Sequence, residues 1–288
     1  MPNSEYNDVE GGMGIVARRI LAYIVLILLT VLCLFWFYVL FINSTRSNAE
    51  LNRGFTLLPS TYFAQNLDNV IHGTLPIFKG MLNSFIVAAS AAILSTYFSA
   101  MTAYAIHVYD FKAKKAIFTF ILAVMMIPTQ VTALGFVSLV NKMKLTNTFI
   151  PLIIPAIAAP AIFYYMKQYM ESALPHAIVE AARIDGSPEY KTFNTISLPI
   201  MKPAMAVQLI FSFVANWNNY FTPALVLNKD NVKTLPILIA QLRAADFLKF
   251  DMGQVYVAIA LSIAPVIVVY LCLSRFIVGG VAVGSVKG

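Results

Sequence analysis

Long runs of uncharged, mostly apolar residues alternate along the chain with shorter segments that concentrate charged residues, proline and glycine. A helix needs about 20 apolar residues to cross a lipid bilayer. Six runs are long enough. They predict transmembrane helices at residues 20–42, 81–107, 116–140, 149–169, 204–226 and 255–278. The pattern therefore predicts an all-α integral membrane protein with six transmembrane helices.

The segments outside the predicted helices differ in length and character. Residues 1–19 are polar and predict a mobile N-terminal tail, and residues 279–288 form a short C-terminal tail. The connection at 43–80 mixes charged, apolar and helix-breaking residues, which indicates a folded cap. A second long connection follows at 227–254, and the core at 81–278 carries the other five helices. Because six spans place both termini on one side, both long connections are predicted on the opposite side.

Two features predict how the spans pack. Ala91, Ser95, Ser99 and Ala103 recur every four residues, so they share one helix face on which another helix can approach closely. Pro128 lies in the middle of the third span, where it removes a backbone N–H and predicts either a hinge or a fixed kink. We therefore expect a closely packed bundle with a bent third helix.

The distribution of charged residues predicts how the chain is oriented in the membrane. The chain is 59% hydrophobic and 11% charged, with a net charge of +7. The basic residues flank the spans, so we expect them to contact anionic lipid and not nucleic acid. A cytoplasmic N-terminus places 11 of the 20 basic residues inside. Arg18, Arg19 and the lysine-rich loop 109–115 favour this orientation, whereas Lys142 and Lys144 oppose it. Cytoplasmic N- and C-termini are predicted.

The spans contain no group that would drive transport by itself. No Asp, Glu, Lys or Arg lies in a span interior, whereas ion-coupled transporters usually carry such groups at membrane depth. The sequence has no GxxxxGK[ST] phosphate loop and no HExxH motif, and Cys33 and Cys272 have no nearby partner. We expect no catalytic residue, metal site or cofactor in this chain. Another chain would then supply the energy for uphill transport.

One polar, turn-rich segment at residues 180–203 separates the fourth and fifth spans. A short helix is predicted over 176–185, with Gly186 in the left-handed position that closes a helix. The following Ser-Pro-Glu begins a second predicted helix over 187–197, with the serine as its cap. Two prolines then precede the fifth span. By itself the pattern predicts a helical hairpin at the membrane surface.

The motifs EAA at 180–182, DG at 185–186 and LP at 198–199 resemble the EAA loop of permease subunits of ATP-binding-cassette importers. The chain's end, VAVGSVKG, is similar to that of the maltose-type carbohydrate permeases, and the resemblance covers roughly residues 80–288. It implies the type I importer permease fold, with a cytoplasmic coupling loop at 171–203 that docks on an ATPase subunit. The docking residues that it implies are Glu180 and Asp185 as polar contacts, Ala181 and Ala182 as small contacts, Gly186 as the turn, Phe193 and Ile196 as apolar anchors, and Leu198 and Pro199.

The fifth span carries polar side chains on one face. Ser212, Asn216 and Asn219 are spaced at i, i+4 and i+7, and Trp217 and Tyr220 lie close by. Amides donate and accept hydrogen bonds, a neutral sugar offers many hydroxyls, and an aromatic ring can stack on a pyranose. The segment FSFVANWNNYF resembles the sugar-lining fifth helix of maltose-type permeases, which implies a substrate-binding role for these residues. Polar contacts that hold helices or subunits together are the alternative.

The resemblance also implies an assembly. Its members are a second permease subunit that is a different chain, two ATPase subunits that bind ATP and Mg²⁺, and an extracytoplasmic solute-binding protein. The expected location is a bacterial or archaeal cytoplasmic membrane, and this chain is expected to be non-catalytic. Three alternatives stay open: the same machinery for a polyol or an acidic oligosaccharide, an ATPase-independent carrier or channel, and a scaffold or sensor that only docks an ATPase.

Overall fold

The computed structural model describes residues 8–244 and 251–284, with side chains described for 15–244 and 251–277. Every regular element within these residues is helical, which confirms the all-α prediction. The α-helices are α1 (Asp8–Ser44), α2 (Asn48–Asn52), α3 (Phe63–His72), α4 (Ile77–Val108), α5 (Lys114–Val124), α6 (Thr129–Lys142), α7 (Ile150–Ile153), α8 (Pro160–Ala173), α9 (His176–Ile184), α10 (Glu189–Thr192), α11 (Leu198–Ile200), α12 (Lys202–Trp217), α13 (Phe221–Val226), α14 (Leu235–Ala244) and α15 (Met252–Gly284). A 3₁₀ turn occupies Pro155–Ile157 and a π-helical turn occupies Phe193–Ser197.

Within the described part of the chain, four helical stretches are long and apolar enough to cross a membrane. Two bent pairs meet the same test together: α5 with α6, bent by 95°, and Glu189–Ile200 with α12, bent by 81°. Counting each pair as one span gives six, the number that the sequence predicts. The four longer stretches are Ile15–Ser44, Ile77–Val108, Ile150–Ala173 and Met252–Ile277.

The described residues divide into two compact units, of which the first contains 8–70 and 251–260. A polar cap follows α1 in this unit. Ser47 and Glu50 form a capping box at the start of α2, in which each side chain accepts a hydrogen bond from the other residue's backbone N–H. The amide of Asn66 in α3 donates to the backbone carbonyls of Ser44 and Arg46, each at 2.9 Å. The folded cap predicted for this connection is therefore present over the part that lies in this unit.

Hydrogen bonds of buried polar side chains stabilise this cap in addition to the burial of Val70 of α3. The Arg46 side chain is buried and donates to the carbonyls of Glu50 and Gly54. The apolar residues of the same connection, such as Phe55 and Leu58, are exposed. The prediction that this connection folds is therefore correct. The apolar residues that led to the prediction, such as Phe55 and Leu58, are nevertheless not the ones buried in the cap.

The second unit contains residues 71–244 and 261–284 and is built around α4. The small-residue stripe of α4, from Ala91 to Ala103, is almost completely buried, as predicted. Its Ser95 hydroxyl lies 2.9 Å from the Ser212 hydroxyl of α12, and Ser99 donates to the Ala159 carbonyl just before α8. Small side chains thus let α4 pack closely on both neighbouring helices.

Apolar clusters surround both ends of α4. The cluster at its N-terminal end contains Val87, Val140, Leu152, Val226, Leu227 and Ile237. The cluster at its C-terminal end contains Ala100, Ala103, Tyr104, Ile106, Phe163, Met166, Met170, Leu174, Val179, Phe193 and Met201. Because the second cluster includes Leu174, Val179 and Phe193, it attaches the coupling loop to the helix bundle.

The third predicted span, 116–140, is two helices and not one bent helix. α5 ends at Val124 and α6 begins at Thr129, with a 95° change of direction between them. Pro128 immediately precedes α6 with an extended backbone (φ −63°, ψ 133°). A proline in this position begins a new helix because it lacks the N–H that would continue the old one. The expectation of a hinge or kink inside a continuous helix is therefore wrong.

The fourth and fifth predicted spans are also interrupted. Prolines stand at the first or second positions of α7, of the 3₁₀ turn and of α8, where the missing N–H would have no helical partner. α8 continues to Ala173, beyond the predicted limit of 149–169. The fifth span, predicted at 204–226, consists of α12 and α13 with a break at 218–220. The loss of helical continuity after Trp217 changes where Asn219 points.

The first and last helices are longer than predicted. α1 begins at Asp8, so the tail predicted for 1–19 is helical from that residue, and residues 1–7 lie outside the described part. α15 runs from Met252 to Gly284 and includes backbone that was predicted to form the tail at 279–288, of which 285–288 is not described.

Candidate functional site

The coupling loop folds as two short helical segments joined by a tight turn. α9 ends in a Schellman motif, in which the Ser187 N–H bonds to the Ala182 carbonyl and the Gly186 N–H bonds to the Arg183 carbonyl. Gly186 has a positive φ of 74°, so its predicted left-handed conformation is confirmed. The second segment runs through α10, the π-helical turn and α11.

The start of the second segment differs from the prediction. Pro188 and not Ser187 occupies the cap position, and the α10 cap has no side-chain hydrogen bond. The Ser187 hydroxyl instead lies 3.0 Å from the Thr192 hydroxyl, which donates to it. The segment also extends past its predicted end near residue 197, because the π-helical turn leads directly into α11.

Most of the residues predicted to dock on an ATPase lie on the outer face of the coupling loop. Ile196 and Leu198 are partly exposed. The loop also exposes the large side chains of Ile184 and Tyr190, which were not predicted. The exposed members of the predicted set, mostly small or acidic, are Glu180, Ala181, Asp185, Gly186 and Pro199.

Two of the predicted docking residues lie inside the chain. Ala182 is 6% exposed, and Phe193 is 3% exposed with its ring 5.8 Å from that of Tyr97 and 5.3 Å from that of Tyr104. The expectation that Ala182 and Phe193 face a partner is therefore corrected. Both side chains instead help to hold the coupling loop against the helix bundle. Ala182 is buried because the face of α9 that contains Val179 and Ala182 is turned toward the bundle.

A polar cluster at the base of the coupling loop was not predicted. The Glu189 carboxylate accepts from Arg183 Nε at 2.6 Å and from the Tyr104 hydroxyl at 2.9 Å. The Tyr109 ring lies 5.4 Å from the Arg183 guanidinium. The hydrogen bond from Arg183 lowers the pKa of Glu189 more than burial raises it, so the carboxylate is ionised at neutral pH. The pattern at 187–189 indicated only a helix start.

Two cavities are lined in part by Asn216. The larger one, of about 700 Å³, lies between α8 and α12. Gln208, Ser212 and Asn216 line it from α12 at a spacing of four residues, and Ser95 lines it from α4. The Asn216 amide donates to the Ser212 carbonyl at 2.8 Å. Two predicted residues, Ser212 and Asn216, are thus brought together, and Gln208 joins them. The same four-residue spacing, extended backward from Ser212, would have found Gln208 in the sequence.

A smaller cavity, of about 240 Å³, is lined by both Asn216 and Asn219. Asn219 lies beyond the end of α12, where its side-chain oxygen accepts from the Thr222 N–H at 3.3 Å. Among the described residues nothing hydrogen-bonds the Asn216 side-chain oxygen or the Asn219 amide nitrogen. Both asparagines therefore keep hydrogen-bonding capacity toward a solute, although they do not share one continuous helix face as predicted.

The aromatic residues at the larger cavity are not the predicted ones. Trp217 is 3% exposed and stacks on Phe213 with ring centroids 5.7 Å apart. Tyr220 is exposed but lines neither cavity. The expectation that Trp217 faces a solute is corrected, because Trp217 packs into the bundle, whereas the substrate-binding role of Tyr220 stays a prediction. Tyr165 of α8 and Phe211 of α12 supply aromatic surface to the larger cavity instead.

Residues 95–283, which include the coupling loop and most of the residues that line the two cavities, match the family described as binding-protein-dependent transport system inner membrane component. The chain belongs to this family. As a family member it is an integral-membrane permease component with several membrane-spanning helices. The match begins at Ser95, so α1 to α3 lie outside it.

Two relatives illustrate the range of solutes named for similar permeases. This permease is 34% identical to the arabinooligosaccharides transport system permease protein AraQ of Halalkalibacterium halodurans, over 86% of this chain and 89% of that protein. It is 30% identical to the sn-glycerol-3-phosphate transport system permease protein UgpE of Salmonella typhi, over 91% of this chain and 95% of that protein. Nearly the whole length of the chain is thus shared with transport permeases.

The permease also resembles a chain in the crystal structure of a bacterial ABC transporter involved in the import of the acidic polysaccharide alginate. The TM-score is 0.74 at 21% identity, and the match covers 96% of this chain and 99% of that chain. The likeness confirms the type I importer permease fold that the EAA loop implies.

Proposed function

We propose that this permease is one half of the translocation pathway of an ATP-driven importer for a neutral oligosaccharide. The observation that carries the solute class is the chemistry of the two cavities. Their polar lining consists of serine, threonine and tyrosine hydroxyls and of asparagine and glutamine amides, with no charged side chain among the lining residues. Hydroxyls and amides suit the many hydroxyl groups of a sugar.

The neutral lining also separates the candidate solutes suggested by the relatives. A phosphorylated or acidic solute is expected to need arginine, lysine or oriented backbone N–H groups. Of the solutes in the names of the similar proteins, an arabinooligosaccharide suits an uncharged lining better than sn-glycerol-3-phosphate or alginate. The exposed rings of Tyr165 and Phe211 would provide apolar surface on which sugar rings can stack.

The exposed face of the coupling loop supports docking on an ATPase subunit. The loop is rigid because a Schellman turn joins its helices and an apolar cluster attaches it to the bundle. Ala181 and Gly186 leave space for close approach, and the acidic Glu180 and Asp185 offer polar contacts. In this proposal the ATPase subunits bind and hydrolyse ATP with Mg²⁺, and the permease itself catalyses no reaction.

The rest of the assembly follows from the same proposal. Two ATPase subunits and a second permease chain complete the importer, and an extracytoplasmic solute-binding protein delivers the sugar near the connection at 227–254. The coupling loop and both termini would face the cytoplasm. Arg18, Arg19 and the lysines of loop 109–115 support this orientation by the positive-inside tendency.

Reconstitution tests the proposed function directly. The permease, its partner permease and the ATPase subunits would be placed in proteoliposomes and offered labelled arabinooligosaccharides, sn-glycerol-3-phosphate and an alginate oligomer. We expect uptake of the neutral oligosaccharide only when ATP and the solute-binding protein are both present. Uptake by the permease alone would instead identify an independent carrier, and selective uptake of an anionic solute would contradict the neutral-sugar assignment.

Asn216→Ala and Asn219→Ala are expected to weaken solute recognition. Each variant removes amide groups that face a cavity, and a lost hydrogen bond of about 0.5–1.5 kcal/mol corresponds to a roughly 2- to 13-fold higher apparent KM for uptake. The measurement is initial uptake rate against solute concentration, with the amount of assembled complex determined in parallel.

Asn218→Ala is the matched control for these two variants. Asn218 is exposed and lines neither cavity, so its removal is expected to leave KM unchanged. An unchanged KM in Asn216→Ala and Asn219→Ala, together with a loss of assembled complex, would show that the asparagines hold helices or subunits together. Ser212 already has such a contact in the chain through Ser95.

A further inference from the structure

Glu189 joins three structural elements through one carboxylate. Arg183 comes from the docking helix α9, Tyr104 comes from the central helix α4, and Glu189 itself begins α10. The two oxygens of the carboxylate are divided between the two elements: Oε1 accepts from Arg183 and Oε2 accepts from Tyr104. Loss of this one side chain would therefore remove the hydrogen-bonded connection between α9 and α4, while the stacked rings of His107 and His176 and the apolar packing of Val179 would remain.

The surroundings of the carboxylate indicate a role other than general stability. The side chains of Arg183 and Glu189 are 38% and 40% exposed, and exposed ion pairs contribute little to folding free energy. The Tyr104 ring, by contrast, is buried against Phe193. Glu189 thus connects a solvent-facing charge on the docking helix with a side chain fixed inside the bundle.

The helix that receives this contact also lines the larger cavity. Ser95 lies nine residues before Tyr104 on α4, a distance of about 14 Å along one continuous helix. A displacement of α9 that is passed to Tyr104 is therefore passed to the wall of the cavity. Further hydrogen bonds join α4 to the coupling loop, from Tyr97 to the Asn194 side chain at 3.1 Å and between His107 and the Leu174 carbonyl at 2.9 Å.

We propose that Glu189 is a positioning residue that holds α9 to α4, so that movement imposed on the coupling loop by an ATPase reaches the cavity wall. This inference rests on the proposed function. A charge-assisted hydrogen bond suits the role because it is stronger and more directional than a neutral one, so it fixes the orientation of α9 against α4 in addition to the apolar packing. The ring of Tyr109, just after the end of α4, lies 5.4 Å from the Arg183 guanidinium and adds a second contact to it.

The test measures ATP hydrolysed per solute imported, using the full complex in proteoliposomes. Glu189→Gln keeps the size of the side chain but removes the charge that holds Arg183. We expect normal assembly with the ATPase, normal apparent KM for solute, and at least about a fivefold rise in ATP consumed per solute, within the usual range of coupling between sites. Tyr104→Phe keeps the ring packing on Phe193 and removes only the hydroxyl, and it is expected to raise the same ratio.

A control variant and a double variant sharpen the result. Lys167→Gln removes the ion pair with Glu171 within α8 and the contact of the Lys167 ammonium with the Phe118 ring of α5; neither contact involves α9 or α4, so the ratio should stay unchanged. Glu189→Gln combined with Tyr104→Phe should raise the ATP consumed per solute no further than the stronger single variant does, because both substitutions break the same connection.

Uptake and ATP hydrolysis that fall in proportion in both single variants, with an unchanged ratio, would overturn the positioning role. A native complex without ATP-dependent uptake would overturn the proposed function itself, and this inference with it.

Discussion

Gly186→Pro is expected to abolish ATP-driven uptake while the permease still accumulates in the membrane. Gly186 has a φ of 74° and its N–H bonds to the Arg183 carbonyl. Proline fixes φ near −65° and has no N–H, so it removes both features at once. The turn between α9 and α10 would open, and the docking face of the coupling loop would be lost. Uptake and co-purification of the ATPase are the measurements.

Gly186→Asn provides the matched control for the turn. Asparagine is among the non-glycine residues that adopt the left-handed conformation most readily, whereas other side chains cost about 1–2 kcal/mol there. We expect this variant to keep most of the uptake. No described atom lies within 4 Å of a Cβ placed at Gly186, so backbone conformation and not crowding decides the outcome. Full uptake by Gly186→Pro would contradict the role of the turn.

Ala181→Arg is expected to lower uptake at least tenfold by blocking the docking surface. Ala181 is exposed on α9, and arginine has nearly the helix propensity of alanine, so the helix itself should persist. A long side chain in a close interface costs about 1.4–2.8 kcal/mol, which corresponds to a roughly 10- to 100-fold loss of affinity. The measurement is binding of the ATPase to detergent-solubilised permease, with uptake measured in parallel.

Ala113→Arg is the control for the added charge. Ala113 is exposed in the lysine-rich loop before α5 and is predicted on the same side of the membrane, so this variant should bind the ATPase normally. Ala182 is unsuitable for this experiment because its side chain is buried, and a charge there would disturb the packing of α9 itself. Normal ATPase binding by Ala181→Arg would place the interface elsewhere on the permease.

Several features of the fold and of the coupling loop were predictable because they depend on local sequence. The runs of apolar residues predict six spans, since transfer of a side chain into lipid depends on its own chemistry. Gly186 was assigned correctly because a left-handed helix end has a strong preference for glycine. The small-residue stripe on α4 follows from helical periodicity alone.

Other features depended on which side chains meet across the bundle. Phe193 and Trp217 were expected at binding surfaces, yet both pack inward, because the rotation of a helix about its axis is decided by its neighbours. The prediction that Asn219 shares a helix face with Ser212 and Asn216 was wrong, because α12 ends at Trp217. Pro128 was expected to bend a helix and instead starts one.

The sequence by itself determined the class of protein, the number of spans and the position of the coupling loop, because hydropathy, turn preference and the EAA motif are properties of neighbouring residues. Only the tertiary structure decided that Tyr165 of α8 lines the larger cavity together with Ser212 and Asn216, while Trp217 is buried. It also decided that Glu189 joins α9 to α4, through Tyr104, a residue 85 positions away in the chain. Contacts over such separations depend on how helices pack, and no local pattern encodes them.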